Sequence, residues 1–372
     1  MNITLIIVVA IALFFDFTNG FHDTANAIAT VVSTRAVSPK FAVFGAAIFN
    51  FLGAFVSLKV AGTVAKGIVI PGAITLHIIL AGLIGAIVWN LITWRLGLPT
   101  SSSHALIGGV AGAAAMSVGL HVIKWHGLQQ KVLIPSLISP FLGLVGAGLL
   151  ITFILRITRK YSEKAVNRVF RRLQLVSGGF VAFTHGTNDA QKTMGIIALA
   201  LIALHPDKTF HVPLWVIASS ASAMAIGTYL GGWRIIHTLG NKITKIEPPQ
   251  GFAAETSTAA VLALTAHYGF PVSTTHTISG SILGAGAATR PSVVNWKIVK
   301  HILAAWVITI PCSAGVGAAM ELLTRMPHGI DIVVSVALVI IATIFVTRNW
   351  SWESLAQVRS RLSPLRIIRK HP

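Results

Sequence analysis

Two short polar segments interrupt an otherwise apolar chain, and their side chains are of the types that bind cations. The first reads FTNGFHD at residues 17–23, and the second reads FTHGTND at residues 183–189, with four of seven positions identical. Each segment ends on an aspartate, Asp23 or Asp189, and each carries one asparagine and one histidine in exchanged positions. A duplicated polar segment within apolar surroundings predicts a binding site built from both copies.

Carboxylate, amide, hydroxyl and backbone oxygens are the groups that bind Na⁺ in proteins, and a broken helix frees backbone carbonyls for this purpose. Asp23 and Asn26 are three residues apart, so on a helix they share one face. Asp189 has Asn188 and Thr193 nearby in sequence. Carboxylates alone can also carry a proton, so the pattern leaves Na⁺ and H⁺ both open.

Two further ionisable residues lie within the apolar stretches. Glu255, in GFAAETSTAA, has no acidic counterpart in the first half of the chain, where Leu83 aligns. A carboxylate at such a depth is a functional-site hypothesis by default, and Glu255 is a candidate coupling carboxylate of the second half. Lys192 holds the repeat position of Asn26, and its ammonium is expected either to pair with Asp189 or to attract an anion. The predicted cation-binding residues are Asp23, Asn26, Asn188, Asp189, Thr193 and Glu255.

A second motif is also duplicated, and it has the chemistry of an anion site. GLPTSSSHALIGGVAGA at residues 97–113 recurs as GFPVSTTHTISGSILGA at residues 269–285. Three consecutive hydroxyl residues precede a glycine-rich helix, whose N-terminus offers unpaired amide hydrogens and a partial positive charge. Simple N-capping is the alternative, because Ser and Thr are preferred at that position. The predicted anion-binding residues are Ser101, Ser102, Ser103, Ser273, Thr274 and Thr275.

Each hydroxyl run is followed by a histidine, His104 or His276. One histidine per motif, without cysteine, is weak evidence for a metal site, so these rings are expected to fix neighbouring hydroxyls or to pack between helices. An intramembrane hydrolase that uses Ser103, His104 and an aspartate is an alternative function. We consider it unfavourable because no nucleophile elbow is present, and the chain is not expected to be an enzyme.

Composition places the chain in a membrane. Hydrophobic residues make up 54% of it and charged residues 10%, whereas soluble domains have about 25% charged residues. Runs near the bilayer length predict roughly eleven spanning segments. The net charge of +19 collects mainly in the loops and ends expected to be cytoplasmic, as the positive-inside rule predicts, so no nucleic-acid partner is needed to explain it.

The two duplicated motifs recur in the same order, so the chain is predicted to be a tandem duplication. The predicted fold class is an all-α polytopic membrane protein with two inverted repeats of about five transmembrane segments, broken helices or re-entrant hairpins, and an extra C-terminal span. The expected units are a first repeat (1–157), a basic cytoplasmic linker (158–172), a second repeat (173–325), an additional helix (326–347) and a basic cytoplasmic tail (348–372).

These motifs resemble the inorganic phosphate transporter (PiT) family, whose mark is a repeated Gly-x-Asn-Asp segment. It appears here as GFHDTANA at residues 20–27 and GTND at residues 186–189, and the resemblance covers nearly the whole chain. His22 departs from the common asparagine, which makes proton coupling more plausible. By resemblance, Asp23, Asn26, Asn188 and Asp189 would hold the coupling cation, with Asp23 and Asp189 as metal ligands if that cation is Na⁺.

The resemblance implies import of inorganic phosphate across the cytoplasmic membrane by symport with Na⁺ or H⁺, no cofactor, and a homodimer in the lipid bilayer. By the same carry-over, the hydroxyl turns at 101–103 and 273–275 would hold phosphate. Sulfate is an alternative substrate, since some bacterial members of this family resemble sulfate permeases. A passive anion channel is a further alternative, although an anion pore is better lined by Lys or Arg than by carboxylates.

Overall fold

A computed structural model shows a bundle of α-helices and describes residues 2–204 and 209–324, together with positions 337, 340, 343 and 344. The helices are α1 (Ile3–Ser33), α2 (Pro39–Gly53), α3 (Lys59–Gly67), α4 (Leu76–Leu96), α5 (Ser102–Ser117), α6 (Trp125–Leu128), α7 (Ile134–Thr158), α8 (Glu163–Leu204), α9 (Leu214–Leu230), α10 (Trp233–His237), α11 (Pro248–His267), α12 (Thr274–Thr289) and α13 (Trp296–Thr324). The predicted tail 348–372, and the predicted extra span 326–347 apart from those four positions, lie outside the described residues.

Large apolar side chains cover the outside of the bundle. Phe41, Leu149 and Val307 are 71%, 68% and 75% exposed, which would favour aggregation in water but suits contact with lipid tails. At the centre, α4 is apolar on all its faces and largely buried, as expected of a helix that other helices surround. These surfaces support the membrane protein that the composition predicts.

Four stretches of the described chain are long and apolar enough to cross a bilayer: α1, α4, the run Trp125–Thr158 and α13. A fifth candidate is α9 together with Trp233–Lys242, which bend by 59° at their junction. The prediction of roughly eleven spans exceeds this number partly because α5 and α12, with 16 residues each, are shorter than the about 20 residues that a spanning helix needs. Both helices begin at buried residues, as the inner arm of a re-entrant hairpin would.

The breaks predicted within the two acidic segments are not found. Helix α1 is continuous from Ile3 to Ser33, and α8 is continuous over 42 residues. Side chains of neighbouring helices donate hydrogen bonds to both aspartates while the helical backbone stays intact. The expectation that freed carbonyls at these segments supply cation ligands is therefore wrong. The break occurs instead between α9 and α10, where Gly231 has a φ of 77°, a value that favours glycine.

Helices from the two halves of the chain pack against each other in related pairs. Helix α7 of the first half lies along α12 of the second, and α13 of the second half lies along α5 of the first. At the repeat-related positions Gly112 and Gly284, an added Cβ would collide with the carbonyl oxygens of Ala314 and Leu144. Small residues thus let these backbones approach closely. The inverted relation of the halves remains a prediction.

Most of the segment predicted as a linker is helical. Helix α7 ends at Thr158 and α8 begins at Glu163, so residues 163–172 form the start of α8. The Arg171 Nε donates to the carbonyl oxygen of Thr34 at 3.1 Å, which ties this basic stretch to the end of α1. Its cytoplasmic location remains a prediction.

The close packing at Gly284 leads to a stability prediction. Gly284→Ala places a methyl group against the Leu144 carbonyl and should destabilise the protein by about 1–3 kcal/mol, the usual cost of overpacking. The matched control is Gly315→Ala in α13, where an added Cβ meets nothing within 4 Å. Thermal unfolding in detergent should show a lower Tm for Gly284→Ala only. Equal melting of the two variants would contradict the packing.

Candidate functional site

The two acidic segments face each other inside the bundle. Helices α1 and α8 are in contact, and ligand atoms of Asp23, His185 and Asp189 all lie within 4.8 Å of one another. All three side chains are buried. The predicted convergence of Asp23 and Asp189 is therefore seen in the structure, with His185 as an additional member.

Asp23 receives hydrogen bonds from both hydroxyl turns. Ser102 Oγ, at the start of α5, donates to Asp23 Oδ2 at 2.7 Å, and Thr275 Oγ1 of α12 lies 3.4 Å from Asp23 Oδ1. The imidazole of His22 also contacts the carboxylate, with Nδ1 at 2.7 Å from Oδ1. Its other nitrogen, Nε2, is 3.3 Å from Thr93 Oγ1 of α4. His22 therefore joins the Asp23 carboxylate to α4.

Asp189 has a different set of partners, and one of them is charged. Lys192 Nζ donates to Asp189 Oδ1 at 2.6 Å, and Thr274 Oγ1 donates to the same oxygen at 3.2 Å. His185 Nε2 is 3.5 Å from Asp189 Oδ2. The prediction that Lys192 pairs with Asp189 is confirmed by this contact.

The contacts of the two halves correspond through the repeat. Ser102 bonds Asp23, and its equivalent Thr274 bonds Asp189. Across the halves, Asn26 Nδ2 donates to Thr275 Oγ1 at 2.8 Å, and Lys192, at the position of Asn26, donates to Ser103, the equivalent of Thr275. Each hydroxyl turn therefore contacts the acidic helices of both halves.

The first hydroxyl of each turn caps its helix. Ser101 Oγ accepts from the His104 backbone N–H at 3.1 Å, and Ser273 Oγ accepts from that of His276 at 3.2 Å. The N-capping alternative is thus correct for Ser101 and Ser273. Ser102, Thr274 and Thr275 donate to the two aspartates instead, and Ser103 accepts from the Lys192 ammonium. These four hydroxyls do not cap their helices and are the ones that could turn to a ligand.

Several buried polar atoms of the predicted cation ligands have no hydrogen-bond partner among the described residues. They are both amide atoms of Asn188, Oδ1 of Asn26 and Oδ2 of Asp189. Three of these four atoms are oxygens, and oxygens are the ligands of hard cations. Buried polar groups in folded proteins are nearly always satisfied, so each exception needs an explanation. Other unpartnered atoms, such as those of Asn90 and Ser136, occur elsewhere in the described chain, so the contacts of Asp23 and Asp189 carry more weight than these atoms do.

Two residues predicted as cation ligands lie apart from this cluster. Glu255 of α11 accepts from Thr30 at 2.6 Å and Gln174 at 2.9 Å, and it also accepts from Ser177. Thr30 is seven residues beyond Asp23 on α1, about 10 Å along the helix axis.

Thr193 Oγ1 points to Asp16, donating to its Oδ1 at 2.7 Å. The structure thus brings Asp23, Asn26 and Asp189 to one place, together with Ser102, Ser103, Thr274 and Thr275. It does not join Glu255 or Thr193 to them through these contacts.

The two histidines of the hydroxyl motifs pack together. The His104 and His276 rings meet edge to face with centroids 4.8 Å apart, and His276 stacks on Trp306 of α13 at 3.9 Å. This agrees with the packing role predicted for them.

Sequence reasoning missed the polar support of the second acidic segment. His185 Nδ1 lies 2.9 Å from Asn50 Oδ1, and Asn50 Nδ2 donates to Thr228 Oγ1 at 2.9 Å. Asn19 was also missed: its Oδ1 lies 2.6 Å from Ser102 Oγ and competes with Asp23 for the single hydroxyl hydrogen of Ser102. The exchanged positions of Asn and His between the segments were the available signal for Asn19 and His185, whereas nothing local singled out Thr228.

The fold and the site define a class of protein: a multi-pass α-helical membrane protein with a buried polar site that both halves of a duplicated chain build. The sequence matches the family described as "Phosphate transporter family" over residues 19–317. The chain therefore belongs to that family, which is one of transporters and not of enzymes, and the resemblance found from the motifs is confirmed.

Curated relatives support the same assignment. A protein of Rhizobium meliloti (strain 1021) is 50% identical over 312 residues, covering 83% of this chain and 93% of its own length. A protein of Bacillus subtilis (strain 168) is 46% identical over 328 residues, covering 86% and 97%. One of Mycobacterium bovis is 49% identical over 316 residues, covering 84% and 76%. Each is named "Probable low-affinity inorganic phosphate transporter".

Among solved structures, one named "The sodium-dependent phosphate transporter" superposes with a TM-score of 0.78. The alignment covers 87% of this chain and 99% of that one, at 24% sequence identity. This similarity supports the all-helical fold of the chain.

The hydrogen bonds around Glu255 lead to a prediction about the thermal stability of the protein. Glu255→Leu leaves the donors of Thr30, Gln174 and Ser177 without an acceptor, and each buried unsatisfied group costs about 1–3 kcal/mol. The variant should therefore have a clearly lower Tm, whereas Glu255→Gln keeps an acceptor oxygen and should melt close to the wild type. If Glu255→Leu melts like the wild type, the cluster has no structural role.

Proposed function

We propose that the protein is a secondary active transporter that imports inorganic phosphate across the cytoplasmic membrane by symport with Na⁺ or H⁺. The observation that carries this proposal is the meeting of two hydroxyl-bearing helix N-termini with two buried carboxylates in one cluster. The hydroxyls of such a site can donate hydrogen bonds to an anion, and its carboxylates can bind a cation. The anion and the cation would then lie side by side, so that binding of one favours binding of the other. The names of the curated relatives support phosphate as the substrate.

The anion would bind at the starts of α5 and α12. Ser102, Ser103, Thr274 and Thr275 are hydroxyl donors at these two N-termini, where the helix dipoles also favour negative charge. Phosphate oxygens would replace carboxylates as acceptors of some of these hydroxyls. The Lys192 ammonium, which contacts Ser103, would add a positive charge at the same place.

The cation would bind between the two acidic helices. Asp23 and Asp189 converge there. The amide oxygens of Asn26 and Asn188, which have no partner among the described residues, would be further acceptors. With both aspartates ionised, Asp23, Asp189 and Lys192 carry a formal charge of −1, since two negative charges meet one positive charge. One monovalent cation would neutralise this group and so remove the repulsion that an arriving phosphate would otherwise meet. Cation binding would thereby promote phosphate binding, which is the basis of coupling.

The identity of the cation depends on His22. The contact of His22 with Asp23 favours H⁺, because histidine is a residue type that can carry a proton, whereas the asparagine at the equivalent position, Asn188, cannot. The similar solved structure is named as a sodium-dependent transporter, which favours Na⁺. After loading, movement of one part of the bundle against the other would expose the site to the opposite side of the membrane.

The first experiment is uptake of radiolabelled phosphate into proteoliposomes under an imposed H⁺ or Na⁺ gradient. We expect accumulation that follows one of the two gradients and that unlabelled sulfate does not inhibit. Flux that is indifferent to both gradients would favour a passive anion channel and overturn the symport proposal. Strong inhibition by sulfate would change the assigned substrate to sulfate.

The cation assignment predicts the effect of removing either carboxylate charge. Asp23→Asn and Asp189→Asn should each reduce gradient-driven uptake to background, because the site loses a charged acceptor while its shape is kept. Glu163→Gln, at the exposed start of α8, is the matched control and should transport like the wild type. Gel filtration in detergent would establish that the variants are folded. Normal coupled uptake by either aspartate variant would show that the cation assignment is wrong.

The proton proposal predicts a separate effect of His22→Asn, which installs the residue found at the equivalent position, Asn188. If His22 and Asp23 carry the proton, this variant should lose about tenfold or more of its H⁺-driven uptake. His126→Asn, at an exposed position, is the control. Wild-type rates in His22→Asn under a Na⁺ gradient, with no response to H⁺, would assign the coupling to Na⁺.

A further inference from the structure

Lys192 is an ammonium group enclosed in the centre of the site. Its side chain is among the largest fully buried ones in the described chain, at 1% exposure. The Nζ atom contacts three oxygens of different kinds, from three parts of the chain. They are a carboxylate oxygen of Asp189 at 2.6 Å, the backbone carbonyl of Val272 at 3.0 Å and the hydroxyl of Ser103.

Carboxylate, backbone carbonyl and hydroxyl oxygens are also the groups that bind Na⁺ in transporter sites. Val272 lies ahead of the first residue of α12, so its carbonyl is outside the helix. If Lys192 only formed an ion pair with Asp189, the i, i+3 spacing of the two residues on α8 would be sufficient. The additional contacts with Ser103 and Val272 place the ammonium at a cation position shared by both hydroxyl turns.

The equivalent position in the first half has no such charge. Asn26 holds the position in the first half that Lys192 holds in the second. It lies beside Asp23 and Thr275. These two residues correspond to Asp189 and Ser103 in the repeat. The Asn26 amide donates to Thr275, and its oxygen has no partner among the described residues. The duplicated chain therefore has two related polar positions, one with only neutral and acidic side chains and one containing an ammonium of the chain itself.

We infer that Lys192 is a tethered cation that permanently takes the place of one transported cation in the second half of the site. This inference rests on the proposed symport function and specifies its stoichiometry. The wild-type cycle then moves one cation fewer per phosphate than the same site would with asparagine at position 192. Lys192 also supplies its charge to the phosphate site in every cycle, independently of the cation concentration outside.

The direct test compares coupling stoichiometry in the wild type and in Lys192→Asn, the residue of the first half. Steady-state phosphate accumulation is measured in proteoliposomes at zero membrane potential while the Na⁺ and H⁺ gradients are varied separately. For each cation that is coupled, a tenfold gradient changes the ratio of internal to external phosphate by about tenfold. The slope of the logarithm of this ratio against the logarithm of a cation gradient therefore counts the coupled cations of that kind. We expect the Na⁺ and H⁺ slopes to add up to one more in Lys192→Asn than in the wild type. An unchanged sum in an active variant would overturn the inference.

A second test does not depend on transport. Lys192→Ala should leave space and unpaired oxygens for a small free ammonium, so millimolar methylammonium should raise the Tm of the purified variant, as a ligand of the folded state does. The wild type and Lys192→Arg, which retain a tethered charge, should show no such shift with methylammonium. Methylammonium should also restore phosphate uptake by Lys192→Ala.

The remaining outcomes separate this inference from the proposed function. If Lys192→Ala and Lys192→Asn both fail to fold while Lys192→Arg folds, the ammonium is a structural ion pair and the inference is wrong. If the folded alanine variant shows no shift with methylammonium, the inference is equally wrong. If the wild type accumulates no phosphate under either gradient, the proposed function fails, and the thermal shift of Lys192→Ala alone then decides whether a cation position exists.

Discussion

The burial of two carboxylates within an apolar helical bundle is the constraint on which the rest of this structure depends. An acidic side chain at the centre of a bilayer costs about 2.5–3.5 kcal/mol on insertion scales, so Asp23 and Asp189 require partners that no lipid can supply. The partners are hydroxyls at the N-termini of α5 and α12. Each of these helices must therefore begin inside the bundle and not at its surface.

Short helices that begin inside a membrane protein need lateral support, and the glycine-rich sequences after the hydroxyl turns provide it. Gly112 of α5 and Gly284 of α12 allow contact with the backbones of α13 and α7. Each supporting helix comes from the half of the chain that does not contain the helix it supports. The two halves thus complete each other, and the hydroxyl turns can contact acidic residues of both.

Much of this arrangement was predictable from the sequence because it is repeated there. Duplication identified the acidic segments and the hydroxyl turns, and it predicted that they meet. The unbroken course of α1 and α8 was not predictable, because a polar stretch such as DFTNGFHDTANAIAT is equally compatible with an unwound segment until its hydrogen-bond partners are known. The separate cluster of Glu255 with Thr30 and Gln174 depends on helix packing over long sequence distances.

The two halves share their motifs and several equivalent contacts, but they differ in chemistry. Asparagine and histidine exchange places between the segments, and Lys192 replaces Asn26. Because like charges at short distance oppose each other, two carboxylates within 4.8 Å are easier to accommodate when one of them is neutralised by the chain. The Lys192 contact does this for Asp189, and in the proposed mechanism Asp23, beside His22, is the carboxylate whose charge a mobile cation balances. On that proposal, divergence at the positions of His22 and Lys192 gives the second half a fixed charge and the first half an exchangeable one.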